Sequence, residues 1–198
     1  LDIVKATKVN SIIAGKDHCI FFKRKKKIKN YICSEKSKKF PFLFKKVKLK
    51  NFTKKIDIDK EYIITMSSGS TSKPKPIVFS QKTKIIRYKL FKKLYKINPK
   101  DNIIVANPID HSLGMRVLFL ALLTGSTCVV MSTYRVDHYC ELIKKYKITF
   151  SVLVANQVYD LINNHRYFKD FYLKKGLVSA SAKLFPDAKK KILKKKIN

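Results

Sequence analysis

The sequence predicts an α/β fold with a mixed, mostly parallel sheet layered with helices. Three observations carry that expectation. Short apolar runs bounded by turn residues recur from Tyr62 onward. Amphipathic stretches of helical length stand between most of them. The alternation of the two implies a sheet covered on both faces.

The elements follow in order. Asp2–Ala14 reads as a short helix leading into a strand at Ser11–Ala14, SIIA. Lys23–Lys29 is a charge run, which suits a solvated loop. Tyr31–Cys33 fits a short strand. Lys36–Lys60 is polar and basic, is punctuated by Pro41, and holds one further strand around Val47–Leu49. Tyr62–Met66 is a short apolar strand, and Ile77–Phe79 is a second one after a Ser/Lys/Pro-rich loop. Ser80 is placed to cap a helix over Gln81–Ile97, with Ile85, Ile86, Leu90, Leu94 and Ile97 on its apolar side and Pro99 as its stop. Asn102–Ala106 is a strand and Leu113–Leu123 a buried helix. A turn at Gly125 then leads to a strand at Cys128–Met131. Val136–Lys145 is an amphipathic helix and Thr149–Val154 a strand. Gln157–Asn163 is a short helix and Leu177–Ser179 a strand. Pro186–Lys196 is a basic helix with proline in its first turn. The organisation expected is a leading subdomain and basic connection over 1–60, followed by the main α/β domain over 61–198.

Composition narrows the function classes. Of 198 residues, 45% are hydrophobic and 12% aromatic, which supplies a core and argues against wholesale disorder. The net charge is +32, from 45 Lys+Arg against 13 Asp+Glu. A basic nucleic-acid-binding protein is therefore one alternative reading. Against it, only Arg24, Arg87, Arg116, Arg135 and Arg166 are arginines, whereas phosphate and base recognition favours the planar guanidinium. Phe40–Phe52 interleaves aromatics with lysines, but no helix-turn-helix, zinc-finger or RNP pattern is present, and nucleic acid is not the expected partner. Cys19, Cys33, Cys128 and Cys140 form no CxxC pair and have no zinc-site spacing with histidine. Reduced thiols in a cytoplasmic protein are expected, with no metal held by them. Val117–Met131, the most apolar stretch, is interrupted by Thr124, Gly125, Ser126 and Thr127 and is too short to span a bilayer.

Chemistry concentrates in Met66–Pro76, MSSGSTSKPKP. Gly69 permits a tight path and close approach of a ligand. Successive backbone N–H groups in such a loop make a concavity for anions. The hydroxyls of Ser67, Ser68, Ser70, Thr71 and Ser72 can donate to phosphate oxygens, and Lys73 and Lys75 add charge around an extended Pro74. A Walker A loop is not matched. A polar surface turn is the plainer alternative, but a long polar connection set between two apolar strands favours a functional loop.

This segment resembles the signature of the adenylate-forming (AMP-binding) superfamily, the family of acyl-CoA synthetases and AMP-dependent ligases, whose pattern is roughly [ST]SG[ST]TGxPKG. Ser67, Ser68, Gly69, Ser70, Thr71, Pro74 and Lys75 fit that pattern, while Ser72 and Pro76 stand where the family usually has glycine. The resemblance implies that Ser67, Ser68, Gly69, Ser70, Thr71, Ser72, Lys73 and Lys75 bind ATP phosphates. A second match is Asn107–Gly114, NPIDHSLG, which is similar to the segment in which a histidine precedes a small residue and glycine at the acyl pocket. The implied substrate-pocket residue is His111. Leu118–Met131 resembles the buried helix and strand that follow it in the family. Leu177–Leu184, LVSASAKL, resembles the SGGAPL turn that packs against adenine, with Ser179, Ala180, Ser181 and Ala182 in its place. Val117, Leu118, Ala121 and Leu122 suit either an apolar acyl group or a helix core.

The resemblance implies an ATP-dependent, carboxylate-activating ligase, with part of the large N-terminal domain present. ATP and a carboxylic acid would be substrates, with Mg2+ as cofactor and coenzyme A as a candidate acceptor. Family elements that supply an adenine-stacking ring, a Mg2+-binding Glu, a ribose-binding Asp and a catalytic Lys have no match in these residues. The expectation is therefore a central, truncated or split fragment, inactive alone and completed by a complementary chain. A non-catalytic subunit that completes a site with another chain is the remaining alternative.

Overall fold

The computed structural model describes residues 11–14, 30–33, 57–67 and 75–195. The chain divides into two units, Leu1–Gln81 and Lys82–Asn198. In the first, β1 (Ser11–Ala14) pairs in parallel with β2 (Asn30–Cys33). β3 (Glu61–Ser67) pairs antiparallel with β4 (Lys75–Ser80), and the register closes with Ser67 opposite Lys75. The predicted helix ahead of Ser11, the strand at Val47–Leu49 and the loop residues 68–74 lie outside the described residues.

The second unit develops from α1 (Gln81–Tyr95) onward. Its strands are β5 (Asn102–Val105), β6 (Thr127–Val130), β7 (Phe150–Val154) and β8 (Gly176–Ala180). They form one parallel sheet in the order β6-β5-β7-β8. α2 (Ser112–Thr124) links β5 to β6, and α3 (Val136–Lys145) links β6 to β7. α4 (Ala155–Asn163) and the single-turn α5 (His165–Phe168) lie between β7 and β8, and α6 (Pro186–Lys194) follows β8.

Strand side chains alternate between faces, so the sheet carries two cores. Ile103, Val105, Phe150 and Val152 face Leu113, Val117, Leu120 and Ala121 of α2, with Tyr88, Phe91 and Tyr95 of α1 packed against them. Ile104 and Leu153 face the other way, toward Tyr139 of α3, Leu161 of α4 and Ile192 of α6. This is the two-faced, mostly parallel arrangement that the alternating pattern predicts, and a parallel sheet needs it because both of its faces must be covered.

The order β6-β5-β7-β8 fixes a switch point. The chain leaves β5 toward α2 on one face and leaves β7 toward α4 on the other. Between the carboxyl ends of β5 and β7 the connections diverge and open a crevice, the usual place for ligands in such sheets. Asp101 anchors the opposite end of the same two strands. It is buried, accepts from the Asn98 N–H at 2.8 Å and the Thr149 hydroxyl at 2.9 Å, and faces Lys175 at 3.8 Å.

Two expectations for α1 need correction. The aliphatic stripe is real but does not face the core: Ile86, Leu90 and Leu94 are 50%, 62% and 67% exposed. The neighbouring stripe Tyr88, Phe91 and Tyr95 packs instead, because rings reach and cover more surface than branched aliphatics. Phe91 and Tyr95 stack at 5.7 Å, and Tyr95 meets Phe150 at 5.0 Å. The helix also stops at Tyr95, ahead of Pro99. Lys96 adopts a left-handed φ of 51°, and the Ile97 N–H turns back to the Lys92 carbonyl at 3.1 Å. Ile97 is buried, but beyond the helix. α6 is described to Lys194, two residues short of the predicted end, and α5 has no counterpart in the sequence reading.

Candidate functional site

The segment that follows β5 runs through the crevice at the switch point. Asn107 is buried, and its side-chain amide donates to the Val152 carbonyl at 2.9 Å, tying the segment to β7. From the far side, the Gln157 amide donates to the Ala106 carbonyl at 3.2 Å and its oxygen accepts the Val154 N–H at 3.0 Å. The backbone then turns sharply: the His111 N–H donates to the Pro108 carbonyl at 3.1 Å. Gly114 makes the turn possible, because a Cβ there would collide with the carbonyl oxygens of Pro108 and Asn107. His111 itself is exposed and extended (φ −89°, ψ 145°), and its carbonyl receives the Met115 N–H at 3.0 Å. Its imidazole makes no cap hydrogen bond, so it stands at the mouth of α2.

Beside this turn lies a cavity of ≈ 50 Å3. α2 contributes Leu113, Arg116, Val117 and Leu120, the i, i+3, i+4, i+7 face of one helix. Val152 of β7 and Val178 and Ala180 of β8 line it from the sheet, and Phe91 and Tyr95 line it from α1. Of the four residues offered as apolar wall, only Val117 lines it. Ala121 is fully buried in the core, Leu118 packs against that core, and Leu122 is 61% exposed.

Arg116 is the one charge in this cavity. Its guanidinium lies over the Phe91 ring at 5.5 Å. Burial, and after it the charge of Arg87, hold its pKa below the usual guanidinium range. A smaller adjoining recess of ≈ 20 Å3 places Lys84, Arg87 and Arg116 together with Tyr88 and Phe119. Burial, then Arg87 and Arg116, lower the Lys84 pKa as well. No acidic side chain lines either recess.

The end of β8 splits the four residues of the expected adenine-side turn. Ser179 turns its hydroxyl into the protein, where it is buried with no hydrogen-bond partner. Ala180 lines the cavity. Ser181 takes a left-handed φ of 72° and ends the strand, and Ser181 and Ala182 are exposed. Of the phosphate-loop residues, Ser67 and Lys75 face each other across the last rung of β3 and β4, while Ser68, Gly69, Ser70, Thr71, Ser72 and Lys73 lie outside the described residues. Among the described residues no group of three or more His, Cys, Asp or Glu could hold a metal ion. None of their helices is long and apolar enough to cross a membrane.

Sequence reasoning missed Phe91, Tyr95, Gln157 and Arg116. The aromatics were hidden by the stronger aliphatic period beside them. Arg116 had a visible signal: it is the only charged residue in the apolar run Leu113–Leu123.

The comparisons agree with this fold. No curated protein sequence matches the chain. A luciferase-like enzyme from the nonluminescent mealworm Zophobas morio is 21% identical, with a TM-score of 0.79 over 97% of this chain and 47% of its own. The amide bond synthetase McbA from Marinactinospora thermotolerans is 16% identical, with a TM-score of 0.79 over 97% of this chain and 40% of its own. ATP-bound MatB from Rhodopseudomonas palustris is 16% identical, with a TM-score of 0.74 over 98% of this chain and 39% of its own. The chain thus spans less than half the length of each of these enzymes. Residues 3–197 match the AMP-binding enzyme family. The chain belongs to that family, the adenylate-forming enzymes.

Proposed function

We propose that the chain carries the ATP-phosphate loop and part of the acid-binding pocket of an ATP-dependent carboxylate-activating ligase. The observation that carries the reading is the loop Ser67–Lys75, which joins the last paired residues of an antiparallel hairpin in a chain of this family. The hydroxyls and lysines of this segment suit the charge that develops on phosphate during in-line displacement. One related structure was solved with ATP bound. In this reading Ser67, Ser68, Gly69, Ser70, Thr71, Ser72, Lys73 and Lys75 hold the phosphates. His111, exposed at the mouth of α2 beside the cavity, positions the acid, and the turn at Ser179–Ala182 lies on the adenine side.

The carboxylate oxygen of the acid attacks the α-phosphorus and the bond to pyrophosphate breaks, leaving an acyl-adenylate. An acceptor thiol, coenzyme A among the candidates, then takes the acyl group. The family's Mg2+ supplies charge neutralisation on the phosphates when bound. The described residues hold no donor cluster that fits it, so no step is assigned to it here. The chain alone is proposed to bind ATP without turnover, its missing groups coming from a complementary segment or chain. A cytoplasmic setting goes with this reading.

Titration of a fluorescent ATP analogue against the chain and its Lys75→Ala variant tests the loop. One charge-assisted contact predicts about tenfold weaker binding by the variant. Equal affinities would remove Lys75 from the site. Carboxylate-dependent ATP–pyrophosphate exchange by the 198-residue chain would overturn the proposal that it cannot turn over alone.

A further inference from the structure

We propose that Arg116 is a specificity-determining residue and that the acid is a short dicarboxylate, whose second carboxylate pairs with the Arg116 guanidinium. This rests on the ligase reading above, because it supposes that the first carboxylate is the one activated.

The cavity argues for it first. Its walls are apolar, yet they include one guanidinium and no acid. A monocarboxylic acid with an alkyl tail would leave that charge facing hydrocarbon, which is costly. A second carboxylate would satisfy it through the paired N–H donors of the planar fork.

The neighbourhood argues for it next. Arg116 belongs to both recesses, and the second adds Lys84 and Arg87. The pKa of both Lys84 and Arg116 is lowered by burial and by like charge. Positive charge is thus gathered beside the Arg116 guanidinium, which favours an anionic ligand in the cavity. Two of the five arginines in a chain otherwise rich in lysine stand here. Where lysine is the habitual base, arginine at such a point suits geometry as well as charge.

Size argues for a short acid: the cavity is ≈ 50 Å3, room for a few carbon atoms.

Calorimetric titration of the full 198-residue chain with succinate and with butyrate, at physiological ionic strength, tests the inference. These probes share a carbon count and differ in the second carboxylate. Succinate is expected to bind about tenfold or more tightly and to raise the melting temperature, as a ligand of the folded state must. Arg116→Met is expected to bring succinate down to the butyrate level while leaving butyrate unchanged. Lys190→Met, which removes one exposed charge on α6, is expected to change neither.

Arg116→Lys provides the second variant. It keeps the charge without the fork and is expected to bind succinate at an intermediate level. Equal affinity for the two acids, or no binding by either, overturns the proposal. So does an equal loss of both acids in Arg116→Met, or a loss in Lys190→Met that matches it. Competition by coenzyme A for the succinate site would assign the cluster to the acceptor's phosphates and also overturn it. The ATP-analogue titration is scored separately. ATP binding without discrimination between the acids sinks this inference alone, whereas discrimination without ATP binding sinks the ligase reading and leaves Arg116 as an anion site.

Discussion

At the scale of single residues, burial decides what each group does. Arg116 keeps its charge in an apolar cavity, whereas His111, five residues earlier, stays in contact with solvent. Cys140 shows the same rule outside the site. It is 5% exposed on α3, and burial pushes its thiol from 9.0 up to about 11, with Lys144 and Asp137 as smaller opposing influences. Its neighbour Tyr139 is wholly buried, and its hydroxyl faces that of Ser151 without closing a good hydrogen bond. Burial raises that phenol as well. Both groups are held neutral in the fold and are free to ionise when it opens. The thiol's contribution is therefore complete below its unfolded value of 9.0 and is lost as pH rises toward the folded value near 11. Urea unfolding of Cys140→Ala at a series of pH values is expected to show a shallower loss of stability over that window than the parent. An unchanged slope would show that Cys140 does not titrate with folding.

At the scale of elements, what could be read from the sequence was what period and punctuation encode. Strands β5 to β8 and helices α2 to α4 stand within about two residues of the expected positions, because apolar runs and amphipathic stretches report burial directly. The face of α1 was misread because two stripes compete on that helix, and period alone does not say which one finds a partner. The site was legible in its motifs, Ser67–Lys75 and Asn107–Gly114, but not in its walls. Those walls come from four elements, α1, α2, β7 and β8, that only the fold brings together. Helix ends were the least legible. α2 closes on Gly125 at φ 75°, where the Ser126 N–H returns to Ala121. α1 and α3 close with the same hydrogen-bond pattern on lysines, Lys96 at φ 51° and Lys147 at φ 48°. A side chain in that region costs roughly 1 kcal/mol that glycine avoids. Lys147→Gly is therefore expected to stabilise the chain by up to about 1 kcal/mol in urea unfolding, despite the flexibility that glycine adds to the unfolded state. Lys147→Ala removes the same charge and keeps the Cβ, so it is expected to give no such gain. Equal gains from both would assign the effect to charge.

At the scale of the whole molecule, charge opposes the fold. The net charge of +32 is spread over 198 residues, and lysines line the outer faces of α1, α3 and α6. The ion pairs found among the described residues offset little of it. Arg135–Asp137 and Lys144–Asp170 are exposed pairs, of a kind that contributes little, and His138–Glu141 joins them only when the imidazole is protonated. Lys175–Asp101 is the more buried one, and there the hydrogen bonds of Asp101 to Asn98 and Thr149 do as much to hold the strand ends as the lysine does. Attraction between neighbours is thus short-ranged and sparse, while repulsion is long-ranged and general. Salt screens the second far more than the first, because separations beyond a screening length of about 8 Å at physiological ionic strength are the ones it removes. Thermal unfolding followed by circular dichroism is therefore expected to move upward by several degrees from low to physiological sodium chloride, and to level off once most lysine pairs lie beyond the screening length. A flat or falling melting temperature would mean that folding brings the lysines no closer than the unfolded chain holds them. A rise in phosphate well beyond that in chloride at equal ionic strength would instead mark specific anion sites, with the cluster of Lys84, Arg87 and Arg116 the first place to look.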